Sequence, residues 1–291
     1  MATKAAKRPL IIAVESHKGG VAKSTTTVGL ADYFANTLKL RVLIIDADEQ
    51  SNLKTIFGLK LSEVSGGLAA ILMENVNPLN VLVKIRDNVD LILSGGRLMR
   101  DLEKAYANVP DAELVMKRRF DNIIDHDVVL IDCPPALSLV SSAVSVYADY
   151  VIIPCSPELL AYVGVKNTVA FIESLRDHLH KRNVDVAKIL GVLPTMFDPR
   201  RTLDNDVVED LHRQADNDLL LGGIVFDPIR SDHKVRTSQV KRRFLSETFP
   251  KSNAAVDYIK LGERVMQLIG SIPIKNKDKQ SAPNPTPLME A

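Results

Sequence analysis

The sequence has no tryptophan, only two cysteines, and aromatic side chains at 5% of its 291 residues. Cys133 and Cys155 are too few and too far apart for a zinc knuckle, and no Cys-x-x-Cys is present to ligate an iron–sulfur cluster. Both end strand-like runs, where core packing is the expected role. No charge of one sign dominates. Lys+Arg 37 against Asp+Glu 36 leave a formal +1, so affinity for nucleic acid has to come from a local patch. No apolar run approaches a membrane span, and residues 1–9 have no signal-peptide core, so a cytoplasmic protein with no membrane partner is expected.

What is present is an ordinary globular composition, 46% hydrophobic and 25% charged, at a length that suits one large α/β domain or two small ones. β-branched apolar runs alternate with helical patterns. Strands are predicted at Leu10–Val14, Val42–Asp46, Val89–Leu93, Val128–Asp132, Tyr150–Pro154, Ile189–Leu193 and Gly223–Phe226. The alternation predicts an α/β fold, a mainly parallel twisted sheet with helices on both faces. Residues 9–270 read as the domain, 1–8 as a short N-terminal tail, and 271–291, rich in Lys, Asn and Pro, as a disordered C-terminal tail. Residues 59–120 are the least readable, and Lys117-Arg118-Arg119 reads as a solvated helix face.

The first strand runs into Glu15-Ser-His-Lys-Gly-Gly-Val-Ala-Lys-Ser-Thr-Thr-Thr27, followed by a helical pattern to Leu38. Strand, glycine loop, Lys-Ser, helix is the layout of a phosphate-binding P-loop. Gly19, Gly20, Val21, Ala22, Lys23, Ser24 and Thr25 form the candidate cradle, whose backbone N–H groups and helix start face phosphate oxygens. Lys23 is placed to neutralise β- and γ-phosphates, and the Ser24 hydroxyl to hold Mg²⁺. His17 and Ala22 stand where glycines are usual, and Ala22 prefers negative φ, which predicts a tighter loop. The run Val128–Asp132 ends in a carboxylate beside this loop, placed to hold a Mg²⁺-bound water, and Pro134-Pro135 stiffen the exit. Asp46 and Asp48 follow the second strand at the sheet edge where ligands bind.

Lys18-Gly-Gly-Val-Ala-Lys-Ser24, Asp46-Ala-Asp-Glu-Gln50 and Asp132-Cys-Pro-Pro135 together resemble the deviant P-loop ATPases of the ParA/MinD family, in family order over about residues 9–270. The resemblance implies an ATP- and Mg²⁺-dependent ATPase. Lys18 would reach the partner subunit's nucleotide in an ATP homodimer, Asp48 would orient the attacking water, and Asp46 would sit near the metal. Glu49 replaces the family's usual proline. Gly191–Arg200 resembles the segment that receives adenine. There Thr195 would read the base edge and Pro228 would lie against the ring, although a strand ending in a Pro turn needs no ligand. Within Arg230–Arg243, the residues Arg230, Lys234, Arg236, Lys241, Arg242 and Arg243 stand against one acid, Asp232. With hydroxyl and amide neighbours and no aromatics, they suit contacts to the DNA backbone, or simply a solvated basic helix. The partition branch is the expectation: slow ATP hydrolysis, non-specific DNA, a ParB-like adaptor, and a place on the nucleoid. With the first strand at Leu10, no N-terminal helix-turn-helix is expected. A MinD-like membrane-positioning ATPase would need an amphipathic C-terminal helix, which the tail does not resemble. A nucleotide-binding scaffold without turnover is the third reading, motivated by Ala22 and Glu49.

Overall fold

The computed structural model describes residues 8–59, 66–121, 124–158, 160–217 and 224–270. The expected tails, apart from Arg8, lie outside the described residues, as does Gly223.

Seven strands form one sheet: β1 (Leu10–Val14), β2 (Val42–Asp46), β3 (Val83–Arg86), β4 (Val89–Ile92), β5 (Val128–Asp132), β6 (Tyr150–Cys155) and β7 (Lys188–Pro194). Their spatial order is β3-β4-β2-β5-β1-β6-β7. All pairs are parallel except β3 with β4. The near-continuous apolar strands follow from coverage on both faces. In β1, Ile11 and Ala13 face one core while Ile12 and Val14 face the other, and β2 and β5 alternate in the same way.

The helices are α1 (Lys23–Asp32), α2 (Asn52–Phe57), α3 (Gly67–Glu74), α4 (Leu102–Tyr106), α5 (Val115–Phe120), α6 (Leu139–Tyr147), α7 (Ala161–His180), α8 (Thr202–Asn217), α9 (His233–Val240), α10 (Leu245–Thr248) and α11 (Asn253–Ile269). The helical pattern expected up to Leu38 is α1 followed by a π-turn over Tyr33–Thr37. Cys133 and Cys155 are buried free thiols in the core, as expected.

Two strand expectations change. β3 is an extra edge strand, half-exposed and carrying Lys84 and Arg86, so it shows no apolar run. The strand expected to end at Phe226 shrinks, within its described part, to a single bridge between Val225 and Val192. The chain still follows β7, with Phe226 N–H donating to Val192 O at 2.8 Å and Ile229 N–H to Pro194 O at 2.9 Å. Pro228 between them has no N–H to give, so the ladder is interrupted.

The closing helix α11 locks onto α1 and the π-turn that follows it by two reciprocal aromatic–glycine contacts. A methyl at Gly29 would stand 2.5 Å from the Tyr258 ring, and one at Gly262 would stand 2.2 Å from the Tyr33 ring. Gly262→Ala is therefore expected to destabilise the protein. Helix propensity favours alanine by about 1 kcal/mol, but overpacking costs about 1–3 kcal/mol, and the Tyr33 ring is buried and cannot swing aside. Urea unfolding should show a lower midpoint at unchanged slope. An unchanged or higher midpoint would show that this seam is loose.

Candidate functional site at the C-terminal edge of the sheet

The order β2-β5-β1 sets three strand ends side by side, with Asp132 in register with Asp46 on one side and Val14 on the other. Parallel strands all deliver their exits to this edge.

The loop from Glu15 to Ala22 leaves β1 here. Gly20 has φ +76, and a Cβ added at Gly19 or Gly20 would meet nothing within 4 Å, so this backbone faces open space. Ala22 is forced into the left-handed region, φ 61, where glycine sits without cost. Lys23 begins α1 and folds back, its Nζ donating to Lys18 O at 3.2 Å. Burial lowers the Lys23 pKa, opposed by Asp132, Cys133, Asp48 and Glu15. Ser24 and Thr25 are half-buried on the first turn.

The two strand-end carboxylates differ. Asp46 is fully buried, and its oxygens accept from Asp48 N–H at 3.2 Å and from the Ser51 hydroxyl at 3.1 Å. Burial and the neighbouring Asp132 raise its pKa. It anchors the loop that carries Asp48, which is itself buried and accepts from Gln50 N–H at 2.9 Å. Asp132 is also buried, but neither of its oxygens has a well-formed hydrogen bond among the described residues. Burial raises its pKa to about 7, with the Ser24 hydroxyl and Lys23 pulling it down. A buried, unsatisfied carboxylate beside a serine and a lysine suits a hydrated divalent cation, whose charge would reverse that shift. Open glycine backbone, a buried ammonium and this carboxylate together fit a phosphate chain with Mg²⁺.

Lys18 lies outside this cradle. Its stem passes Gly164 on α7, and its Nζ donates to Glu158 Oε2 at 2.6 Å. Glu158 also accepts from Ser156, and it precedes the long helix, which begins at Ala161 rather than at Glu158.

Thr195 takes a position other than the one expected. It is fully buried, and its hydroxyl is within 3.1 Å of both Val21 O and Cys155 O. Its side chain therefore ties β7 to the P-loop instead of facing a base. Pro228 is half-buried where the chain leaves β7. Arg230 is a further correction. Its guanidinium forks onto Asp257 at 2.9 and 2.7 Å, which fastens this segment to α11 and withdraws Arg230 from the free cations. Lys234, Arg236, Lys241, Arg242 and Arg243 have no acidic partner among the described residues, and Lys241 lies 5.1 Å from the Phe249 ring centroid. By contrast Lys117 and Arg118 pair with Asp121 and Asp111, as a solvated helix face would.

Sequence reasoning missed two features. Glu15 is fully buried under the P-loop, accepting from Ser145 Oγ on α6 at 3.0 Å and lying 3.3 Å from His17 Nε2. A charged residue closing an apolar strand, with histidine in a glycine position, was the available signal. Glu49, in place of the proline, forks with Arg100 at 2.9 and 3.3 Å and ties the Asp48 loop to the segment that sequence left unread.

Residues 10–186 match the AAA domain family. The chain is 31% identical to the sporulation initiation inhibitor protein Soj of Bacillus subtilis (strain 168), over 70% of this chain and 79% of that one. It is 30% identical to the chromosome-partitioning ATPase Soj of Thermus thermophilus, over 88% of this chain and 94% of that one. Among solved structures, apo McdA of Cyanothece superposes with a TM-score of 0.76 at 24% identity, over 90% of this chain and all of that one, which is a likeness of fold. Cobyrinic acid a,c-diamide synthase from Mycobacterium smegmatis, with bound ATP analog and magnesium, superposes at 0.74 with 29% identity, over 91% of this chain and 96% of that one. With the cradle, the strand-end carboxylates and these likenesses together, the chain belongs to the ParA/Soj family of P-loop ATPases.

Proposed function

We propose that this protein hydrolyses ATP with Mg²⁺, closes into a sandwich homodimer on ATP, and holds DNA without reading its sequence. With a ParB-like adaptor it would position or segregate plasmid or chromosome cargo on the nucleoid. The observation that carries the reading is the division of labour between two lysines. Lys23 folds back over its own loop, whereas the Lys18 ammonium points away from that loop and, among the described residues, pairs with an exposed carboxylate, Glu158. Exposed Leu137, Leu160 and Val163 lie on the segments that follow Asp132 and flank Gly164, and suit burial against a second copy.

In this reading Gly19–Thr25 bind the phosphates, and Ser24 and Asp132 hold Mg²⁺, with Asp46 bracing the loop beside them. When bound, the metal would supply positive charge for β- and γ-phosphate oxygens. Asp48 orients the attacking water from the loop that Asp46 and Arg100–Glu49 stiffen. Lys18 leaves Glu158 to reach the partner's nucleotide. A solved relative at 29% identity carries an ATP analog and magnesium, which supports the cofactor assignment. Five cations between Lys234 and Arg243 that have no acidic partner among the described residues support the DNA assignment. Among the described residues no helix is long and apolar enough to cross a membrane.

Lys18→Ala is expected to bind ATP and stay monomeric, as read by light scattering on a sizing column. A normal ATP-dependent dimer would return Lys18 to a loop cation. Asp48→Ala should keep ATP affinity and lose turnover by about 10²-fold or more, the usual worth of a positioned base. Wild-type turnover would remove the carboxylate from water positioning.

For DNA, the expected result is sequence-independent duplex binding that needs ATP and Mg²⁺ and weakens with salt, by about 0.9 log unit per phosphate contacted. Arg236→Glu with Arg243→Glu should flatten that salt slope and spare ATP binding. Equal binding with ADP would refute the switch, and recruitment to anionic vesicles without DNA binding would favour a membrane-positioning ATPase.

A further inference from the structure

The basic stretch rests on two helices that issue from the two nucleotide-facing loops. α1 leaves the P-loop, and α2 leaves the loop that holds Asp48. On α1, the Thr25 hydroxyl accepts from Gln239 Nε2 of α9 at 3.4 Å. About two turns further along the same helix, Asp32 accepts from both the N–H and the hydroxyl of Ser246, on α10. On α2, the capping Gly58 has φ +67, and the Arg242 side chain covers it so closely that a methyl there would stand 2.1 Å from Nε. The gap between α1, α2 and α9 has a volume of about 20 Å³ and is lined by Val28, Ile56, Phe57 and Val235 among others. That is room for about one water, so α9 packs close to α1 and α2 here.

We infer that Gln239 is a positioning residue that couples nucleotide occupancy of the P-loop to the basic segment 233–243. The inference rests on the proposed reading of the P-loop, and it gives the DNA switch a physical route. Thr25 accepts from Gln239 with its oxygen, which leaves its hydroxyl hydrogen free to donate to a phosphate oxygen on the cradle. Donation to an anion polarises the hydroxyl and strengthens the bond it accepts. The long Gln239–Thr25 bond then tightens and holds α9 against α1. The Gly58–Arg242 contact adds a second input, from the Asp48 loop.

The test is hydrogen exchange over residues 233–240, nucleotide-free against ATP-Mg²⁺, in wild type and in Gln239→Met, which keeps length and packing but cannot donate. Wild type should slow on ATP, by about fivefold or more for a tightened neutral bond. Gln239→Met should lose the slowing and still bind ATP by calorimetry, weaker by no more than about the same fivefold, because the coupling is reciprocal. Its gain in duplex affinity on adding ATP should also fall by about fivefold. Equal slowing in both proteins, or none in wild type that has bound ATP, would overturn the coupling. Should Gln239→Met fail to fold, Gln239→Leu, which also cannot donate, is read in its place. Slowing in wild type without any duplex binding would refute the DNA reading and leave the coupling standing.

Discussion

One ammonium is buried among more carboxylate than it can neutralise. Lys23 faces Asp132, Asp48 and Glu15, and Asp46 lies in register beside Asp132. A buried ion costs several kcal/mol unless it is paired and hydrogen-bonded, so each acid needs its own solution. Asp46 takes the Ser51 hydroxyl and a backbone N–H, and Glu15 takes Ser145 and His17. Asp132 takes no full hydrogen bond among the described residues, and burial raises its pKa to about 7. The unmet demand for a positive partner therefore falls on one carboxylate, beside Ser24, where a divalent cation would stabilise its charged form. Parallel strand order makes this concentration possible, because β2, β5 and β1 all end at one edge.

The loops at this edge accept local strain to reach it. Ala22 and Ser51 both hold left-handed backbone, at φ 61 and φ 51, immediately before α1 and α2. A non-glycine residue there costs on the order of 1–3 kcal/mol, an expense found mostly at working sites. The two strained residues start the two helices that carry the basic segment. The chemistry of the phosphate edge and the surface proposed to hold DNA are thus joined through rigid elements.

The central strands were legible because burial on both faces leaves them continuous and β-branched, as in Val128–Asp132. β3 was not, because its exposed edge carries charge, and the strand expected over Gly223–Phe226 keeps, within its described part, a single bridge to β7. Lys23, Asp46 and Asp132 could be read because each stands at a strand exit or a glycine loop. What stayed hidden were partners distant in sequence. Glu158 holds Lys18 across 140 residues, Ser145 holds Glu15 across 130, and Asp257 on α11 claims Arg230. Charge in a sequence window does not reveal which cations are already paired, and so Arg230 reads like the five that have no acidic partner among the described residues. The buried position of Thr195 was likewise invisible, since a threonine after an apolar run reads the same whether it faces a ligand or the P-loop backbone.

The claim on which the rest depends is that the unsatisfied carboxylate, the buried lysine and the open glycine backbone form a magnesium–nucleotide site. Calorimetric titration of a non-hydrolysable ATP analogue into the wild-type protein, with Mg²⁺ and with chelator, tests it most directly. The account predicts binding with Mg²⁺ that weakens by about tenfold or more in chelator, and that Lys23→Ala abolishes. Affinity indifferent to the metal and to Lys23, or no binding at all, would contradict it.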